Sequence, residues 1–326
     1  MITKKIPFII TIDTEGDNLW ASPKKIKTQN SRYLPRFQEL CERYGFKPVY
    51  LANWEMVNCP VFQEFARDII RRDAGEIGMH LHAWNSPPIG KVSNDDYKYQ
   101  PFLIEYSVDL MKQKIELMTK TLEDTFQVAI TSHRAGRWAM NDTYFRLLKD
   151  FGYKVDCSVT PYVDWGRNDN QYKENNIDYS AYSPKPYFID CGASSKIDCG
   201  ILEVPVSIIR NPKFSSLRSL AYRNGFSNRL FNHYIPELLW LRPNGKNLTS
   251  MLAVSRKIIE NEGTHAEFIL HSSELMAGGS PYFYDKQSIE NLYADMDILF
   301  MDMKNSYEGI TISDFRESFI NNRRGC

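Results

Sequence analysis

The chain carries no net charge, because its 40 Lys and Arg balance 40 Asp and Glu over 326 residues. A protein built to hold nucleic acid is normally basic, so that class loses its usual footing. No apolar run approaches the ~20 residues that cross a bilayer. The run that opens the first strand is about six residues long and ends in acids, without the apolar core and small-residue cleavage site of a leader. A cytoplasmic protein without a transmembrane segment is the expectation. Cysteines are few: Cys41, Cys59, Cys157, Cys191, Cys199 and Cys326 form no Cys-x-x-Cys and no regular spacing, which predicts reduced thiols. No Gly-x-Gly-x-x-Gly follows the first strand and no Walker loop is present, so a nucleotide fold has no motif to support it. At 43% hydrophobic and 25% charged residues, disorder, collagen and coiled coil are excluded as the main state.

What is present is alternation. Short β-branched or aromatic runs read as strands at Phe8–Asp13, Pro48–Ala52, Glu76–His82, Gln127–Ser132, Val155–Val159, Ile201–Ser207, Glu267–His271 and Gly309–Ile312. Helical spacing predicts helices over Ser31–Tyr44, Val61–Arg72, Phe102–Leu122, Asp142–Phe151, Leu248–Glu262 and Ser288–Met303. Strand–helix repetition implies parallel strands with helical crossovers. Seven or so such units suit a closed or nearly closed β/α barrel; an open doubly wound sheet is the alternative. Two stretches interrupt the pattern. Asp164–Pro186 is polar and reads as a long loop over one end. Ser207–Asn247 is an aromatic insertion with seven basic residues, Arg210, Lys213, Arg218, Arg223, Arg229, Arg242 and Lys246, against one acid, Glu237. It reads either as a solvated cap or as a surface for a phosphate-bearing ligand or a second copy of the chain. The whole of 1–326 is expected to be one domain carrying this insertion at about 207–247.

Five strand ends carry chemistry. The first runs Asp13-Thr-Glu15-Gly-Asp17. On a strand Asp13 and Glu15 share a face, and two carboxylates aimed together are costly unless a cation or a proton sits between them. A polar turn is the plainer reading. The third strand ends His80-Leu-His82-Ala-Trp84, and two imidazoles about 6–7 Å apart at their origins can converge on one metal. Two ordinary hydrogen-bonded histidines would look the same. Ser132-His133-Arg134-Ala-Gly136-Arg137-Trp138 brings two guanidinium groups suited to orienting a carboxylate or binding substrate, or simply to surface salt bridges. Asp156 lies on the next strand, in reach of Arg134 or in an ordinary salt bridge. Phe268-Ile-Leu-His271-Ser-Ser-Glu274 ends an apolar run on an imidazole, the natural general acid near neutral pH, or a capping group.

In this order the five groups resemble the polysaccharide deacetylases of the NodB-homology kind. Ile12-Asp13-Thr14-Glu15, Gly78-Met-His80, Arg134-Ala-Gly, Asp156 and Phe268-Ile-Leu-His271 match that family's five motifs, across about Ile6 to Ser273. The nearest version resembles the subset found with bacterial lipopolysaccharide, O-antigen and capsule genes. The resemblance implies a distorted (β/α)7-type barrel and a metal-dependent N-deacetylase acting on an amino sugar. It implies Asp13 as general base, His271 as general acid, and Glu15, His80 and His82 as ligands of a divalent metal. Zn2+ leads, with Co2+, Ni2+, Fe2+ and Mn2+ compatible. It further implies Arg134, Arg137, Trp138, Asp156, Trp84 and Glu274 as substrate-binding or supporting residues. Arg134 is expected to orient Asp13, Asp156 to orient His271 or Arg134, and a backbone N–H near Ser158 to meet the oxyanion. Trp165 joins Trp84 and Trp138 as a candidate sugar platform. The partner implied is a glycan or amino sugar, free or on a nucleotide or lipid carrier, and not a nucleic acid. Two positions depart from the family: its adjacent aspartates are Asp13 and Glu15 here, and its second metal histidine falls at Trp84, leaving His82 as the nearest imidazole. Acyl transfer and a catalytically silent carbohydrate-binding protein are the alternatives on this scaffold.

Overall fold

The computed structural model describes residues 5–90, 92–167, 169–189, 200–223 and 235–324. Cys191, Cys199 and Cys326, and Phe226, Arg229, Phe231 and Tyr234 of the insertion, lie outside the described residues.

Eleven strands are seen among the described residues: β1 (Ile6–Thr14), β2 (Pro48–Ala52), β3 (Glu76–Leu81), β4 (Ser132–Ala135), β5 (Val155–Asp156), β6 (Tyr187–Ile189), β7 (Ile201–Glu203), β8 (Ile208–Arg210), β9 (Leu238–Trp240), β10 (Ala266–His271) and β11 (Tyr307–Gly309). Nine form one sheet in the order β10-β1-β2-β3-β4-β5-β7-β6, with β11 added to the start of β1. Its ladders are parallel except β6–β7, and β8 and β9 form a separate antiparallel pair. The sheet is curled but its strand ladder is not closed. The segment after β7 meets β10 through side chains: His265 Nε2 lies 2.8 Å from the Pro205 carbonyl, and the Glu267 N–H donates to Ser207 Oγ at 2.8 Å. The expected barrel is thus a curled nine-stranded sheet. The antiparallel β6 and the β8–β9 pair are the elements that strand–helix repetition alone does not suggest.

Strand alternation separates two cores. Ile10, Ile12, Tyr50, Ala52, Ile77, Met79 and Leu81 pack outward under the helices. Ile9, Val49, Leu51, Val155, Cys157, Leu202 and Val204 pack inward, with Ile312 and Phe315 of the C-terminal helix Ile312–Arg324. A strand buried on both faces reads as a continuous apolar run rather than an alternation, which is why β1 is conspicuous in the sequence.

Several boundaries differ from expectation: the last strand is Tyr307–Gly309 rather than Gly309–Ile312, β5 and β7 stop at Asp156 and Glu203, and two further shifts show the physical reason. The long helix begins at Val108, because Ser107 caps it by accepting the Leu110 N–H, and it runs to Phe126 before Gln127 turns left-handed at φ 57°. The following strand is Ser132–Ala135, not Gln127–Ser132. His133 and Arg134 are charged-type residues that stay extended and buried because each finds partners inside, a compensation that hydropathy cannot register.

A candidate metal centre and catalytic cleft

The C-terminal ends of the parallel strands face one cleft of 420 Å³, where open α/β sheets place their ligands. Register brings the chemistry together. In the β1–β10 ladder Asp13 stands opposite His271, and in β3–β4 His80 stands opposite Arg134. Asp13, Glu15, His80, His82 and His271 all line the cleft, with Trp84, Arg137, Trp138 and Trp165.

Glu15, His80 and His82 are buried, and each offers a ligand atom within 4.8 Å of the other two. Glu15 Oε2 lies 3.7 Å from His80 Nε2 and 3.4 Å from His82 Nε2. His80 Nδ1 is 3.0 Å from the Arg134 carbonyl, which can only accept, so Nδ1 carries a proton and Nε2 faces Glu15, where the neutral form of the ring presents its lone pair. A backbone acceptor that fixes the tautomer of a ligating histidine is the usual supporting contact of a metal site. Two nitrogen lone pairs and a carboxylate facing one another fit a divalent cation, and this donor set suits zinc. Burial lowers the His80 pKa, yet the charges of Asp13 and Glu15 leave it raised overall. Burial, with His80 and Arg137 nearby, pushes His82 well below its ordinary value. Glu15 is fixed through its main chain: its N–H donates to Ser272 Oγ at 3.0 Å, and Asn30 Nδ2 donates to its carbonyl at 2.8 Å.

Asp13 sits on the other side of His80. Arg134, fully buried, donates from Nη1 to Asp13 Oδ1 at 2.7 Å and from Nη2 to Thr11 Oγ1 at 2.7 Å and Glu267 Oε1 at 2.5 Å. Burial works to raise the Asp13 pKa, but Arg134, His80 and His271 hold it well below the usual carboxylate range. Burial pushes Glu267 the other way, up to about 7. His271 Nε2 stands 3.5 Å from Asp13 Oδ2.

Behind His271 is a pair that its motif only half shows. Glu274 accepts the His271 backbone N–H at 2.8 Å through Oε2, which also lies 3.4 Å from Nδ1. Arg242 Nη2 lies 3.1 Å from the same Nδ1 and 3.2 Å from Glu274 Oε1. A protonated Nδ1 has an acceptor in Glu274, and an unprotonated one has a donor in Arg242. Both protonation states of the ring therefore keep one orientation. Burial raises the Glu274 pKa, but Arg242 and His271 bring it down to about 2. A carboxylate depressed in the fold adds stability that is present above its unfolded pKa and lost as pH falls through the folded one. Glu274→Gln is accordingly expected to flatten the fall in melting temperature between about pH 4.5 and pH 2. Unchanged acid sensitivity in that window would refute the assignment.

Asp156 does not orient His271 or Arg134. Its Oδ1 bonds His133 Nδ1 at 2.6 Å, and its register partners are His133 and Glu203, which lie on the helix-facing side of the sheet; Arg134, one residue on from His133, points inward. His133 reaches on to the Tyr144 hydroxyl at 2.8 Å. The Ser158 N–H is taken too, donating to Asp156 Oδ2 at 3.0 Å, so it is not a free oxyanion donor.

The cleft walls are aromatic. The Trp84 ring stacks on His82 with centroids 5.2 Å apart, and Trp165 stacks between Trp138 at 6.3 Å and Tyr172 at 5.6 Å. Gly136 lets the chain after β4 pass close to the end of β3, since a Cβ there would fall 2.5 Å from His82 Cδ2 and 2.6 Å from the Leu81 carbonyl. Several cleft residues were not singled out from the sequence. Arg242 appeared only as one of the insertion's basic residues. Trp20, whose ring is 4.9 Å from that of His271, and Tyr97 and Tyr172 come from helical turns of three to five residues, and Tyr282 from a loop, all too short to carry a periodic signal.

No family model and no curated protein matches the chain. Among solved structures it is similar to a Mycobacterium smegmatis protein described as a polysaccharide deacetylase, with a TM-score of 0.53 at 15% identity, over 98% of this chain and 92% of that one. It is also similar to a 4-alpha-glucanotransferase from Thermococcus litoralis, with a TM-score of 0.51 at 13% identity, over 96% of this chain and 38% of that one. At these identities the likeness is one of fold, and the curled α/β sheet is of the kind seen in polysaccharide deacetylases.

Proposed function

We propose that this chain is a metal-dependent amide hydrolase that removes an N-acyl group, acetyl foremost, from an amino sugar during surface-polysaccharide biosynthesis in the cytoplasm. The observation that carries the reading is the convergence, in one cleft, of Glu15, His80 and His82 beside an Arg-held Asp13 and a clamped His271. The lipopolysaccharide, O-antigen or capsule setting rests on the motif resemblance, and the carrier-linked forms of the substrate on the basic insertion.

Glu15, His80 and His82 would hold a divalent ion, which would supply Lewis acidity for an amide oxygen and an attacking water. The chain's own groups do the rest. Asp13 accepts the proton of the water as the water oxygen bonds to the acyl carbon. Arg134 keeps that carboxylate in place and charged. The C–N bond breaks as His271, with its Nε2 facing Asp13 and the cleft, protonates the leaving amine, giving the free amino sugar and a carboxylate. Trp84, Trp138 and Trp165 line the cleft and offer aromatic surface against which sugar rings pack. An acceptor other than water in the same geometry would give acyl transfer.

The test is acetate release. Protein reloaded with Zn2+ and incubated with N-acetylglucosamine oligosaccharides is expected to liberate acetate and an equal amount of primary amine, read by mass spectrometry. The departure at Trp84, where the family places its second histidine, favours one rival, a silent glycan binder. Saccharide binding without acetate release from any N-acyl amino sugar would establish that rival instead.

A further inference from the structure

Three guanidinium groups stand at the site, and two are committed to acids. Arg134 is neutralised by Asp13 and Glu267, and Arg242 by Glu274. Arg137 is different. It lines the cleft half-buried, and among the described residues it forms no ion pair with a carboxylate. Its contact is the face of Tyr97, 4.8 Å from the guanidinium carbon to the ring centroid. Tyr97 is itself pinned, its hydroxyl donating to the Leu19 carbonyl at 2.8 Å and its ring edge-on to Trp84 at 4.8 Å.

The backbone shows that this placement is imposed. Arg137 and Trp138 have φ of 53° and 64°, two consecutive non-glycine residues in the left-handed region. Such residues are strained and persist where the surroundings over-determine them, most often at functional sites. The turn aims a guanidinium and an indole into the same cleft. A cation held among aromatic rings, where the local dielectric is low, attracts an anion far more strongly than one in open water.

On the reading of the cleft as an amino-sugar site, we infer that Arg137 is a specificity residue for an oxyanion carried by the substrate beside its acylamino group. That oxyanion is either the carboxylate of an acidic sugar residue or the phosphate of a sugar carrier. The planar fork of arginine matches both geometries. Arg137 follows Gly136, whose backbone runs against His82, and rests on Tyr97, so the anion would be read on the His82 and Tyr97 flank of the cleft.

Equilibrium binding tests this without requiring turnover. The probes are a neutral N-acetylglucosamine tetrasaccharide, a tetrasaccharide alternating N-acetylglucosamine with glucuronic acid, and uridine-diphosphate N-acetylglucosamine, titrated by calorimetry into wild type and Arg137→Gln. The wild type is expected to prefer one anionic probe about tenfold over the neutral one, the scale of a charged hydrogen bond. Arg137→Gln should lose that preference while its melting temperature and neutral-probe affinity hold. Preference for the uronic-acid probe identifies the carboxylate source, and preference for the diphosphate probe the carrier source. Arg137→Lys keeps charge without the fork, so it should retain part of the preference, which separates recognition from a folding defect. Equal affinity of wild type for all three probes, or a preference that survives in Arg137→Gln, would overturn the inference alone. Failure of the wild type to bind any of them would overturn the amino-sugar reading and the inference with it.

Discussion

Asp13→Asn is expected to lower deacylation by about 10²–10⁴-fold, the range that a positioned general base contributes. The substitution changes shape very little. An amide oxygen still accepts from Arg134 Nη1, which lies 2.7 Å from the carboxylate in the native chain, and Arg134 keeps Glu267 as a second acid. What is lost is the capacity to take a proton and the negative charge that faces His80 and His271. Because Arg134 is buried, removing one of its two counter-charges also has a stability cost, of order one to a few kcal/mol. Turnover is therefore to be compared at a temperature where melting curves show both proteins folded. A folded variant with full turnover would remove Asp13 from the chemistry.

The second large effect is expected at the ligand trio. Wild-type protein, purified without a metal-affinity tag, should carry one divalent ion per chain by mass spectrometry, and His80→Ala/His82→Ala should carry none. A three-ligand site that loses two nitrogens keeps one carboxylate, which does not hold zinc against water. Turnover should fall to background with the ion. The sharper expectation concerns added metal: reloading restores a metal-stripped wild type but leaves the double variant silent. A wild type that stays metal-free after exposure to zinc, cobalt, nickel and manganese would mean that the spacing ending at His82 does not make a site. The silent glycan-binding reading would then replace the enzyme. The two experiments separate, because Asp13→Asn should keep its metal while losing rate.

Much of this was legible in the chain because it rests on local patterning. The apolar run of β1, the His-x-His ending and the Phe268–His271 run are one-dimensional signals, and each places its polar group at a strand end without reference to the rest of the molecule. Pro48–Ala52 is recovered to the residue, since Gly45 turns the chain before it and Asn53 caps the helix that follows it. The β4 segment was displaced by a few residues. Hydropathy stops a strand at its last apolar residue, whereas the fold continues it through His133 and Arg134 by supplying them with Asp156, Asp13 and Glu267.

Asp156 shows the limit most clearly. A strand turns successive side chains to opposite faces, so the side on which a residue falls depends on register with its neighbour, and register is a property of two segments. The ladder sets Asp156 beside His133, and a one-residue slip would have set it beside Arg134. Arg242 is the opposite case. It lies 29 residues before His271 within a basic insertion and touches it only because the chain folds back beside β10.

The sequence by itself determined which chemical groups this protein has to work with and in what order along an α/β chain, since strand and helix periodicities and the types of ionisable residue are local. Tertiary structure alone decided which of those groups meet. Pairing of β1 with β10 sets Asp13 against His271, curling of the sheet brings Arg134 to Asp13, the chain folding back beside β10 brings Arg242 to Glu274, and Arg137 faces the cleft with no ion-paired acid among the described residues. The physical reason is that the energy of a charge is fixed by neighbours a few ångströms away, and those neighbours are distant in sequence.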